Sequence, residues 1–187
     1  MGKNGSRLGS LSSTFESHGD PGIIGYDSTG GLSYGTYQLA HNNAQNFVNQ
    51  SAYRKDFAGI PFNSQAWQNK WKEVAKRDPK GFDEAQHNYI IQTHYEPQAD
   101  KLAAIGVNVN RLSPTLQDVI FSTAVQHGAN TDVIEKVFKR LGPNAPEAEL
   151  VKAIYNERWN GGKRFANSTP AVQKSVFNRF FGQNGEL

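Results

Sequence analysis

Cysteine is absent from the 187 residues, which removes disulfides, a thiol nucleophile and a thiolate zinc site together. The compartment stays open, because a chain acting in the periplasm needs no cysteine. Long apolar runs are missing as well. No stretch approaches the roughly 18 apolar residues of a membrane span, and the N-terminal MGKNGSRLGSLSS has no apolar export core. The expectation is a chain made in the cytoplasm without a signal peptide and with no membrane insertion. Action on a target outside the cytoplasm then needs delivery by other machinery. A strong excess of one charge is lacking: 20 Lys plus Arg face 17 Asp plus Glu, a net +3. That excess favours approach to a polyanion only mildly. No basic cluster interleaved with aromatics marks a strand-binding groove, so nucleic acid is not expected as a partner.

Several site types are missing too. His87 and His94 stand seven apart, a spacing that gives no HExxH zinc site, and no compact ligand cluster occurs. No metal is expected. Neither a Walker loop nor a dinucleotide fingerprint is present, and the glycine-rich segment lacks the lysine and following helix that phosphate binding requires. No cofactor is expected either.

What the chain does have is a core. Its hydrophobic content is 37%, with 11 Phe, 7 Tyr and 3 Trp, where a disordered chain would be depleted in such aromatics. A chain of this length buries enough surface for one core without staples, and no repeat or low-complexity linker divides it. One domain over residues 1–187 is expected.

Leu8, Leu11 and Phe15 recur at helical spacing, giving a first helix that ends near Glu16. The following SHGDPGIIGYDSTGGLSYGTYQL holds six glycines and one proline and then alternates small with aromatic residues, the pattern of a β-hairpin or small sheet. From Leu39 onward the helical period returns. Asn42 or Asn43 caps a helix carrying Phe47 and Val48, and Ser64 caps one carrying Trp67, Trp71 and Val74. Further helices are expected over Phe82–Tyr95, Ser113–His127, Thr131–Arg140, Glu147–Trp159 and Thr169–Phe180. Ser113-Pro114 opens one of these as N-cap and first-position proline, and Gly128 closes it. The fold class is mainly α: a helical domain with one small N-terminal hairpin or sheet, the two forming a cleft.

That arrangement sets a helix-end carboxyl opposite a hairpin carboxyl. Glycoside hydrolysis needs such a pair: one carboxylic acid kept neutral to protonate the leaving oxygen, and a second group that positions water or stabilises the oxocarbenium-like centre. Glu16, beside Phe15, suits the acid, since apolar packing raises a carboxyl pKa. Asp27 suits the second role. Asp20 is its rival, although GDPG is a turn signature and Asp20 reads first as a turn former. Tyr34, Tyr37 and Gln38 offer aromatic faces and an amide for pyranose rings and N-acetyl groups. Strand alternation sends Tyr34 and Tyr37 to opposite faces, one to sugar and one to core, with Gln38 on the face of Tyr34. His127 shares a helix face with Leu116, Ile120 and Thr123, which reads first as packing; Gln126 and His127 remain cleft candidates.

The order Glu16, Asp27, Ser33, followed by Tyr34-Gly35, resembles the Glu-Asp-Thr triad of tailed-phage lysozymes, with a slightly longer first gap and serine in place of threonine. FESHGDPG followed by GGLSYGTYQL, together with STAVQHG at Ser122 to Gly128, is similar to phage-type cell-wall hydrolases and to lysozyme-like domains at the C-termini of some type VI secretion spike proteins. The resemblance implies a lysozyme-like α+β fold and cleavage of the β-1,4 glycan backbone of peptidoglycan. Glu16 would be the acid, Asp27 and Ser33 would hold the water, and the anomeric configuration would invert. Glycan strands are the implied partner, with delivery machinery and a cognate immunity protein beside them, and a monomer suffices. A chitosanase-like hydrolase, a lytic transglycosylase and a non-catalytic wall-binding module are the alternatives; an amidase or peptidase is disfavoured by the missing metal spacing and missing cysteine.

Overall fold

The computed structural model describes residue 8 and residues 20–27, 31–40 and 42–160, with the backbone alone at Asp27. The helix expected from Leu8 to Glu16 lies, Leu8 aside, outside these residues, as does the one from Thr169 to Phe180. The described part is mainly helical with one small antiparallel sheet, of order β1 (Ile24–Asp27), β2 (Gly31–Tyr34), β3 (Leu39–Ala40). In the first ladder Ile24 pairs with Tyr34, Gly25 with Ser33 and Asp27 with Gly31. In the second, Tyr34 pairs with Leu39 and Ser33 with Ala40.

Ser64, Asp78 and Ser113 open helices with side-chain cap bonds, whereas Asn42, ahead of the first helix, makes none. After α1 (Asn43–Gln50) and a 3-10 turn over Ala52–Phe57 comes α2 (Gln65–Arg77), where Ser64 Oγ accepts a bond from Trp67 N at 3.1 Å and satisfies one of the first-turn donors. Asp78 opens α3 (Pro79–Ile90), accepting from Gly81 N at 3.0 Å with proline in the first turn. The bond from Tyr53 and then that from Gly81 hold the Asp78 carboxyl below its ordinary pKa. α4 (Glu96–Ala104), α5 (Pro114–His127), α6 (Val133–Leu141) and α7 (Glu147–Trp159) complete the described elements, with a 3-10 turn at Val109–Arg111. Ser113 Oγ caps α5 through Leu116 N at 3.1 Å, and Gly128 ends it at φ 85. Among the described residues no helix is long and apolar enough to cross a membrane.

The core centres on Trp71, fully buried between Tyr34, Phe47 and Phe82 at ring-centroid distances of 5.0, 5.7 and 4.8 Å. Trp67, Trp71 and Val74 share the inner face of α2, as their spacing requires. Leu8, partly buried, packs against the same core.

The expected helix end at Tyr95 is corrected by the structure. Residues 79–104 run on as one helical segment, with a wide π turn over Ile91–Tyr95 between α3 and α4. Pro97 has no N–H to give to a carbonyl four residues back, and its ring crowds that turn. Widening absorbs the defect: Glu96 N bonds Ile91 O, five residues back, and Thr93 Oγ1 donates to Tyr89 O at 2.7 Å. With that proton committed, Thr93 Oγ1 accepts from His94 Nδ1 at 2.8 Å, which fixes the tautomer of the ring.

Burial lowers the His94 pKa from its ordinary 6.5. The neutral ring is therefore favoured in the fold. Its contribution to stability is complete above pH 6.5 and is lost as pH falls toward the lower folded value, because the unfolded chain binds the proton first. Urea unfolding measured from pH 7.5 down to 5.5 should show stability declining with pH, and His94→Gln should flatten that slope; an unchanged slope would assign the decline to other groups.

Candidate active site

The loop joining β2 to β3, Gly35-Thr36-Tyr37-Gln38, is clamped to one face of α3. Asp83, Gln86 and His87 stand three and four residues apart, on one side of the helix. Thr36 Oγ1 donates to Asp83 Oδ1 at 2.6 Å. Thr36 N donates to Gln86 Oε1 at 2.9 Å. The Tyr37 hydroxyl bonds His87 Nδ1 at 2.7 Å, and the Tyr37 ring packs edge-on against Phe121 of α5, 5.9 Å away.

Gln86 is fully buried and reaches a second turn with its other end. Its Nε2 donates to Pro21 O at 3.1 Å, and Trp71 Nε1 donates to the same carbonyl at 2.9 Å. The GDPG turn is thereby fixed to α2 and α3 before the chain enters β1. Gly35 must be glycine twice over: its φ is +73, and a Cβ there would meet Gln86 Oε1 at 2.0 Å. Gly35 N bonds Ile23 O at 2.7 Å and closes the ladder.

Asp20 does what its turn signature implies. Exposed, it accepts from Gly22 N at 2.8 Å through Oδ1, an Asx turn.

Tyr34 and Tyr37 correct the expectation that one of them meets sugar. Both are buried, at 0% and 4% exposure. The alternation assumed through Gln38 stops at Tyr34, because residues 35–38 are a turn and the turn carries Tyr37 inward. Tyr34 stacks on Trp71 and donates its hydroxyl to Asn63 Oδ1 at 2.9 Å. Burial pushes its pKa up to about 12, so that donor stays protonated. The exposed ring of the hairpin is Tyr26, at 81%.

The opposite face of the sheet is polar. Gly25 pairs with Ser33, and two-residue alternation places position 27 on the face that carries both. Gln38 folds back over this face. Ser33 Oγ donates to Gln38 Oε1 at 2.6 Å, and Gln38 Nε2 donates to Gly35 O at 2.9 Å. Each end of the Gln38 amide thus makes one bond to the protein, and the side chain stays partly exposed. Glu16 lies outside the described residues, as do the side chain of Asp27 and its distance to any carboxyl.

Gln126 and His127 stand at the C-terminal end of α5, and both are partly buried. Gln126 Oε1 accepts from Arg158 Nη2 of α7. Arg158, buried, also donates to Ser122 Oγ at 3.0 Å and lies over the Tyr155 ring at 5.0 Å. Among the described residues no group of three or more His, Asp or Glu could hold a metal ion.

Asp83, Gln86 and Arg158 escaped sequence reasoning, and His87 was weighed there only as a zinc ligand. One signal was available. Gln86 interrupts the Phe82, Gln86, Ile90 stripe, a polar residue where helical period demands an apolar one.

The sequence matches the family described as type VI secretion system spike protein VgrG3-like, C-terminal, over residues 8–184. It is also 35% identical, over 132 residues, to the type VI secretion system spike protein VgrG3 of Vibrio cholerae serotype O1. That stretch is 68% of this chain and 13% of the relative, so the chain spans a small part of that protein.

Replacing Gln86 by Met keeps the volume but strands the buried Thr36 N–H. We expect Gln86→Met to lower unfolding stability by about 1–3 kcal/mol, read by urea denaturation, and to speed amide exchange at Thr36 before that of the core helices. A variant as stable as the parent would show the clamp to be dispensable.

Proposed function

The chain belongs to the VgrG3-like family of type VI secretion spike C-terminal domains, and on that footing we infer that it cleaves the β-1,4 glycan backbone of peptidoglycan after delivery by the secretion machinery. The observation that carries this reading is the β1–β2 register, which gathers position 27, Gly25 and Ser33 on one face of a hairpin clamped to the helical body. Eleven residues upstream of Asp27 stands Glu16, the acid of the lysozyme-like motif. A rigid polar face beside one protonated carboxyl is what the reaction demands.

In this mechanism Glu16 protonates the glycosidic oxygen. Asp27 takes a proton from water on the other side of the ring, Ser33 accepts a hydrogen bond from the other water O–H, and the water lone pair attacks the anomeric carbon. The bond to the leaving sugar breaks as the bond to water forms, with inversion. A periplasmic target also implies a cognate immunity protein in the producing cell.

Purified chain added to sacculi should release reducing ends, and Glu16→Gln should lower the rate by at least about a hundredfold without changing the far-UV circular dichroism. Retention of the wild-type rate in Glu16→Gln would exclude this mechanism, and anhydro-muramyl products in the mass spectrum would replace hydrolysis by transglycosylation.

A further inference from the structure

Three non-glycine residues among those described have positive φ: Gln38 at 48, Asn63 at 61 and Asn160 at 42. Asparagine tolerates this region, since its short side chain bonds locally. Glutamine gains no such relief. The four-residue loop between Tyr34 and Leu39 places Gln38 there, at a position where Gly or Asn would sit with less strain. The side chain therefore has a use that outweighs the strain.

That use follows from the polarity of its bonds. Gly35 O accepts from Gln38 N at 3.0 Å and from the Gln38 side chain at 2.9 Å. A carbonyl only accepts, so the amide atom facing it must be Nε2, and the atom facing Ser33 must be Oε1. Oε1 also only accepts. The single Ser33 proton is consequently committed to Gln38, at 2.6 Å, and the partly buried Ser33 Oγ is left only lone pairs to offer. The neighbouring strand makes room for this: a Cβ at Gly25 would meet Gln38 Oε1 at 2.1 Å and Ser33 Oγ at 2.6 Å.

We propose that Gln38 is a positioning residue which, by taking the Ser33 proton, makes Ser33 an obligate acceptor for the attacking water; this rests on the glycosidase reading above. A serine free to rotate would in some orientations donate to that water and turn its lone pair away from the sugar. With Ser33 fixed as an acceptor, one O–H of the water is held in a hydrogen bond to Ser33 Oγ and stays on the new anomeric hydroxyl, the other proton leaves to the base, and the water lone pair is left for the anomeric carbon.

The test uses soluble peptidoglycan glycan fragments and five chains: Glu16→Gln, Ser33→Ala, Gln38→Asn, Gln38→Gly and the Ser33→Ala/Gln38→Asn double variant. Gln38→Asn keeps an amide but shortens it out of reach of Ser33, and Gln38→Gly removes the amide and the backbone strain together. Both should lower kcat about tenfold with KM within about twofold of wild type, at an unreduced Tm. The double variant should be no slower than Ser33→Ala alone, because Gln38 acts through Ser33. Wild-type kcat in Gln38→Asn, losses that multiply in the double variant, a loss that appears in KM, or a kcat that tracks Tm across the two Gln38 variants would each overturn the proposal. Glu16→Gln keeps the two failures apart. If it retains the wild-type rate, the glycosidase reading falls and this proposal with it; if it is inactive while Gln38→Asn is not, the role of Gln38 alone falls.

Discussion

The carboxamide of Gln86 is the point from which the front of the molecule hangs. One end receives the Thr36 amide and the other donates to the Pro21 carbonyl, so a single buried side chain ties the turn that enters the sheet to the turn that reverses it. Such a group is demanding. Each unmet bond of a buried amide costs about 1–3 kcal/mol, so the two loops and the helix are stable only in one mutual arrangement. Gly35 is the complementary concession, with no side chain where the Gln86 oxygen lies. The sheet is too short to hold itself, since a small isolated hairpin is marginal in water; its rigidity is borrowed from α3.

The two faces of the sheet hold different residues. Tyr34 and Tyr37 go inward to Trp71, Phe121 and His87, and the outer face is left to small and polar residues. Gly25, Ser33 and Gln38 form a unit there in which each residue type depends on the next: the glycine leaves space, the amide fills it, and the amide sets the direction of the serine hydroxyl. At the far end of α5, Arg158 does comparable work for Gln126 and Ser122, carrying the order of α7 to the STAVQHG segment.

Much of the helical body was legible because its signals are local. Ser64 and Ser113 each precede an apolar stripe of period 3.6, and α7 spans the expected Glu147–Trp159. The misses have equally definite causes. The helix expected to end at Tyr95 runs on instead through a π turn at Ile91–Tyr95, and Tyr95 and Leu102 on either side of Pro97 are both buried. Tyr34 and Tyr37 were assigned to opposite strand faces because alternation was carried into what is a turn. For Gln38 the sequence shows an amide without showing its bonds to Ser33 and Gly35.

By itself, the sequence determined that the segments holding α1, α2, α3, α5, α6 and α7 are helical and that a glycine-rich hairpin precedes them, because caps, periodicity and turn chemistry act within a few residues of chain. It also supplied the Glu16, Asp27, Ser33 order on which the functional reading depends. Tertiary structure alone decided which tyrosines are core, that α3 grips the hairpin through Asp83, Gln86 and His87, and which way the Ser33 proton points. Those are contacts across up to 65 residues of sequence, and hydrogen-bond polarity is fixed only when every partner in the chain of donors and acceptors is in place.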